Sequence, residues 1–366
     1  MKKYEFNEIT LLQFICINLG IQVSVGALSL PQRLALKAST DGWMAIILMW
    51  AITIAASWII IQIMKKYPDG TLPDLLSRYL GKWVGKAVAL AAALYFLYYA
   101  YVVIVSTILY TKQWLLPRTP GEIIMLLFLI PAYAIASKGL RVIGRYAEVV
   151  ILLSGWMLVI YMESFRDAYW LHLRPFFKEG WYPVIAALPE ASLSFIGFAS
   201  LFILYPFLQN KQQAFIGITV SSTLSMLVYL FTTIICFVYF SPDQIMQYND
   251  PVVTILKVIK FRFVDRIEVL FISFYLFMFS LSWITTIYFS VFCTSWALGK
   301  QDHRGHLRIL LFGAVAGTYF FMPTEQQKNQ LEDLLMQIGI GFEYAFPVCL
   351  LIYLWLHERV LGRIKR

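Results

Sequence analysis

The sequence predicts an all-α integral membrane protein of about ten transmembrane helices, arranged as an inverted five-plus-five repeat whose first and sixth helices are discontinuous. Three observations predict it. First, 60% of the 366 residues are apolar or aromatic, 14% are charged, and the mean hydropathy is +0.70, a composition foreign to a soluble domain. Second, apolar windows of about 18 residues or more recur along the whole chain, the length that crosses a hydrocarbon core of roughly 30 Å. Third, two of these windows are interrupted in their middles by small residues and followed by proline.

In chain order the windows are 10–36, 42–64, 84–110, 120–137, 144–162, 184–208, 214–240, 264–298, 307–322 and 336–357. The first reads G-I-Q-V-S-V-G-A-L-S-L-P from Gly20 to Pro31. In lipid every backbone N–H and C=O must be satisfied, so a broken span is tolerated only where it is buried in protein or lines a cavity. A helix restarting near Gly26 would aim unpaired N–H groups at that cavity, and a half-helix ending near Gln22 would offer free carbonyls. A simple kink explains one such break equally well. The sixth window, A-L-P-E-A-S-L-S-F-I-G-F-A-S-L-F-I-L-Y-P, repeats the pattern around Gly197, and five intervening spans make it run opposite to the first. Matched interruptions in oppositely oriented halves mark an inverted-repeat transporter fold with its ligand at the midplane. The halves are placed at 1–163 and 184–358, with 164–183 between them as an external interfacial segment rich in aromatic and basic residues.

Assigning connections alternately to the two sides puts eighteen of the 30 Lys and Arg residues on one side, which the positive-inside rule makes cytoplasmic together with both termini. The net charge of +9 is scattered over loops, so it indicates membrane lipid at the inner leaflet and no nucleic acid. The first apolar run is too long for a cleavable signal peptide and lacks a small-residue cleavage site. Cys16, Cys236, Cys293 and Cys349 lie far apart inside apolar windows, and the four histidines lie near span ends or in loops. They form no redox pair and no metal set, and nucleophile and phosphate-loop motifs are lacking. An enzyme, a metal and a cofactor are therefore not expected.

The expected ligand pocket lies between Ser24, Val25, Gly26, Ala27 and Leu28 on one break and Phe195, Ile196, Gly197, Phe198, Ala199 and Ser200 on the other. Tyr98 roofs it, from the run Y-F-L-Y-Y-A-Y in which Tyr95, Tyr98 and Tyr99 share a helical face. Glu190 and Glu343 are carboxylates at a depth where charge is expensive, which points to a vestibule or gate. With no fixed charge near the breaks, backbone dipoles would read the ligand, favouring a small neutral amino acid or a similar molecule.

The stretches K-Y-E-F-N-E-I-T-L-L-Q-F, V-G-A-L-S-L-P, D-G-W at 41–43, Y-P-D-G-T-L-P-D-L at 67–75 and L-G-K-W-V-G-K after it resemble the B subunits of bacterial spore germinant receptors. These endospore germination permeases are related to amino-acid permeases with a five-plus-five inverted repeat. The resemblance implies a multi-pass subunit in the inner membrane of the spore that binds a germinant, often an amino acid, beside an A-type subunit and a lipoprotein C-type subunit. Where that family commonly reads G-F-E in the sixth span, this chain has Gly197-Phe198-Ala199. Two functions stay open: a receptor subunit that recognises a nutrient and signals by population shift, and an ion-coupled amino-acid permease.

Overall fold

Thr10 starts the first helix. Its hydroxyl accepts from the Gln13 amide while Gln13 Oε1 accepts from the Thr10 amide, a reciprocal cap that fixes where the helix begins. In the computed structural model, which describes residues 7–24, 26–177, 180–259, 266–299 and 303–364, this helix, α1, runs Leu11–Gln22 and the chain resumes as α2, Gly26–Ala38. Pro31 inside α2 cannot donate to the carbonyl four residues back, which loosens the first turn of that half-helix. The following helices are α3 (Gly42–Lys65), α4 (Leu72–Leu80), α5 (Lys82–Trp114), α6 (Gly121–Ala136), α7 (Leu140–Ser154) and the single turn α8 (Met157–Ile160).

The sixth span is built from α9 (Trp181–Ala186), α10 (Leu188–Phe195), a 3₁₀ turn at Phe198–Ser200 and α11 (Leu201–Leu204). Its two parts are bent by 49° at the break. Then come α12 (Ala214–Tyr239), the short α13 (Pro242–Ile245) and α14 (Pro251–Thr254), α15 (Ile267–Leu298), α16 (Arg304–Phe320), α17 (Glu325–Gly339), a π-helical turn at Ile340–Ala345, and α18 (Phe346–Ile364). Pro347 follows the π turn and cannot donate to the Glu343 carbonyl, so the ladder widens there.

Each of the ten expected apolar windows holds helix among its described residues. Six stretches among the described residues are long and apolar enough to cross a membrane, and the bent sixth span is a seventh. Apart from one isolated bridge between Ile9 and Leu208, the regular structure among those residues is helix. The tenth helix begins earlier than the window at 336 suggests, because E-Q-Q-K-N-Q-L-E-D at 325–333 is too polar to register as a span yet forms α17. The segment 164–183 is also different. Its described part holds 3₁₀ turns at Tyr161–Asp167 and Trp170–Leu173, with exposed Tyr169, Trp170 and Leu171, before α9 begins at Trp181.

The long helices α5 and α15 pack along each other, and α1 is enclosed by α7, α12 and α15. This encloses the interrupted backbone of both broken spans in protein, the only place at membrane depth where such backbone is tolerated.

Candidate ligand site between the two helix breaks

The first break has its carbonyls engaged. Tyr99 Oη donates to the Ile21 carbonyl at 3.0 Å and Tyr275 Oη to the Ser24 carbonyl at 3.0 Å. Tyr229 Oη lies 2.7 Å from the Gln22 carbonyl and 2.8 Å from that of Ser194, so its proton bridges the C-terminal ends of α1 and α10. The Gln22 side chain accepts from Ser225 Oγ at 2.7 Å and donates towards Phe195 O and Ser222 Oγ. The carbonyls expected to be free near Gln22 are instead held by three tyrosines from three other helices, which satisfies the orphaned end of α1.

At the second break the polarity is reversed. Gly197 adopts φ +115, and a Cβ there would lie 2.3 Å from Ile21 Cγ2, so both conformation and space select glycine. The Gly197 amide donates to both carboxylate oxygens of Glu343 at 2.8 Å, the amides of Phe198 and Ala199 face the same carboxylate, and Tyr95 Oη donates to Oε1 at 2.5 Å. Glu343 sits in the π turn and is fully buried. Amides left over where a helix restarts form a favourable seat for an anion, and here the protein fills it itself. Two expectations are thereby corrected. A fixed carboxylate does stand at the breaks, and Glu343 is packed onto helix six rather than lining a vestibule.

Between the breaks is a cavity of about 10 Å³, bordered by Ser24, Gly26, Tyr99, Leu193, Ile196 and Glu332 among others, room for roughly one water. The two spans nearly touch beside it: a Cβ on Gly26 would lie 2.6 Å from Ser194 Oγ and 3.1 Å from its Cα. Ser24 Oγ and Ser194 Oγ are buried there and have no hydrogen-bond partner among the described residues. An unpartnered buried hydroxyl costs about 1–3 kcal/mol.

One end of this cavity is closed by charge. Arg33 on α2 pairs with Glu332 at 2.9 Å, Asp333 at 2.8 Å and Glu190 at 3.1 Å, joining both broken spans to α17. Lys328 lies 3.2 Å from Glu325 and 3.9 Å from Glu332, Ser106 Oγ donates to Glu332, and Tyr110 Oη donates to Asp250 at 2.6 Å.

Of the expected site residues, Ser24 and Gly26 border the cavity from the first break, and Ile196 borders it from the second. Ser200 donates to Asn18 Oδ1, and Phe198 packs edge-on against Tyr344. Phe195 is buried with its ring edge-on to Tyr229, and Ala199 is buried. Ala27 and Leu28 face a different, apolar cavity, and Val25 lies outside the described residues. Tyr98 is a correction: its hydroxyl donates to Leu331 O of α17, and its neighbour Tyr99 borders the site. Arg33, Glu332, Tyr229 and Tyr275 were not expected. Arg33 carried a signal, since a charge inside a membrane helix marks function, whereas Glu332 lies outside the expected apolar windows. Nothing in the sequence separates the two tyrosines from the chain's other aromatic residues.

Two facing helix breaks, buried in an all-helical membrane bundle, define a protein of the inverted-repeat transporter fold. Solved structures agree at the level of fold. MhsT in complex with L-phenylalanine superposes with a TM-score of 0.63 at 12% identity, covering 92% of this chain and 88% of that one. A substrate-bound Na⁺-coupled sialic acid symporter gives 0.59 at 13% identity, covering 99% and 77%. The chain belongs to the spore germination protein family, whose family model matches residues 8–330. Spore germination protein GerQB of Bacillus cereus is 24% identical over 361 residues, 94% of each chain. Spore germination protein A2 of Bacillus subtilis (strain 168) is 28% identical over 281 residues, 75% of each. These relatives are germination proteins and the fold is that of transporters; neither is an enzyme class.

Proposed function

We propose that this chain is the membrane subunit of a spore germinant receptor, seated in the inner membrane of the spore. It binds a small polar nutrient, a neutral amino acid or a similar molecule, between the two breaks. Its halves, 1–163 and 184–358, rock against each other on binding, and A-type and lipoprotein C-type subunits read the change.

The observation that carries this reading is a pair of buried hydroxyls with no partner among the described residues: Ser24 on the first break, which borders the small cavity, and Ser194 in the last turn before the second, whose Oγ packs against Gly26 beside it. Buried polar groups are nearly always satisfied, and a ligand wedged between the breaks would satisfy one from each half. The ion cluster around Arg33 closes the path from the side that the charge bias makes external, so the conformation described is the closed one. The family membership and the transporter fold support a ligand at this depth.

The test is ligand binding by the purified chain against a panel of radiolabelled amino acids. Ser24→Ala with Ser194→Ala should lower affinity about tenfold or more while leaving thermal stability equal or higher, because both substitutions remove unsatisfied hydroxyls. Unchanged affinity in the double variant sinks the placement. The alternative, an ion-coupled amino-acid permease, needs a cation seat at the first break. There the carbonyls of Ile21, Gln22 and Ser24 are taken by tyrosine hydroxyls, which favours the receptor.

A further inference from the structure

A second cavity, of about 630 Å³, lies between the first span, α7–α8, α12 and α15. Its inner wall is Leu19, Val23, Ala27 and Leu28 beside Phe271 and Met278, all buried. Tyr161, Thr232 and Tyr275 also line it, yet each turns its hydroxyl to a backbone carbonyl, those of Val252, Val228 and Ser24. Ser154 is the one lining hydroxyl without a partner among the described residues. Such a space is dry and takes hydrocarbon.

Its mouth faces sideways. Leu224 and Leu227, exposed by 40% and 53%, stand at the middle of the 29-residue segment Lys211–Tyr239, at the depth of the hydrocarbon core. Across from them Gly155, between α7 and α8, lines the cavity without a side chain, which leaves an opening in the lipid-facing surface. At that depth a bilayer offers acyl chains and neither headgroups nor water-soluble nutrients.

We infer that this cavity is a lipid site: it takes one acyl chain of a membrane phospholipid, inserted between α7–α8 and α12 until it rests against the first helix break. The site is distinct from the nutrient pocket, and its test reads lipid alone, so neither result bears on the nutrient reading.

The full chain is reconstituted in phosphatidylglycerol vesicles doped with a phospholipid carrying a diazirine at the end of one acyl chain, then irradiated, digested and analysed by mass spectrometry. Adducts are expected within 19–28 and 271–278, whose cavity-lining side chains are buried, as well as on the exposed control residues Leu126, Leu127 and Ile130. Leu227→Trp, filling the mouth, and Gly155→Phe, closing the gap, should each cut the first two at least tenfold and leave the control unchanged. Absence of adducts within 19–28 and 271–278 in the wild type overturns the inference. Undiminished labelling there, in whichever variant elutes as a single species, does the same.

Discussion

Glu343 has no basic side chain against it among the described residues; amides and one tyrosine hydroxyl meet its charge. Hydrogen bonds to a charged group contribute about 1.5–3 kcal/mol each, so Glu343→Gln should lower stability by about that amount, read as a fall in the midpoint of thermal unfolding in detergent. An unchanged midpoint would mean that the carboxylate does not hold the break. Gly197→Ala should cost about 1–3 kcal/mol, since it places a Cβ at φ +115 and into Ile21, and the same measurement tests it. Both glycines were legible because small residues in a span have few other uses. The partner of Gly197 was not, because a carboxylate 146 residues away in sequence carries no mark of which break it meets. The face containing Tyr95, Tyr98 and Tyr99 was legible too, but neighbouring residues point about 100° apart on a helix. Tyr95 and Tyr99 therefore turn to the breaks while Tyr98 turns to α17.

Among the elements, α17 is where sequence patterning fell furthest short. Hydropathy finds the apolar half of the tenth helix and passes over the polar turns that carry Lys328, Glu332 and Asp333, since a helix end rich in charge reads as a loop. Those turns hold the two broken spans together through Arg33. Removing one member of a buried ion cluster leaves charge uncompensated, at about 3–5 kcal/mol. Arg33→Gln and Glu332→Gln should each destabilise by roughly that much, and the double variant by less than their sum, as a double-mutant cycle on thermal unfolding would show. Strict additivity would mean that the pair is not coupled. Arg33→Gln should also speed alkylation of Ser24→Cys, because it loosens the closed end of the cavity. Gly26 belongs at this scale as well: Gly26→Val drives a side chain into the Ser194 backbone, so it should separate α2 from α10 and destabilise the fold, rather than only block a ligand.

For the molecule as a whole, the inverted arrangement was readable from two matched interruptions, since lipid leaves so few reasons to break a helix. The conformation of 164–183 was not, because aromatic and basic composition fits exposed turns as well as helix. A bundle with its breaks pressed together and one end tied by charge has a closed state that a ligand must pull open. A ligand moves such an equilibrium only by its preference between states, and about 3 kcal/mol changes the ratio roughly 150-fold. Liposomes holding the chain should accordingly show saturable nutrient binding with little accumulation under an imposed proton or sodium gradient. Sustained gradient-driven uptake would make the chain a permease.

The π turn at Ile340–Ala345 has a genetic consequence. A wide turn spends one residue more than an α turn, so the stretch between α17 and α18 is counted in residues as well as in chemistry. Deleting Ala345 would close it to ordinary α spacing and leave α17 and α18 facing as they do, with the change confined to the turn that seats Glu343. Glu332 and Asp333 would stay with Arg33 and Glu358 with Lys66, which it meets at 2.9 Å, while Glu343 would lose the wide turn that aims it at the Gly197 amide. The gene tolerates point changes here and not a lost codon: if the chain is the receptor subunit proposed above, spores carrying the deletion should fail to germinate on its nutrient, and those carrying Ala345→Gly should germinate.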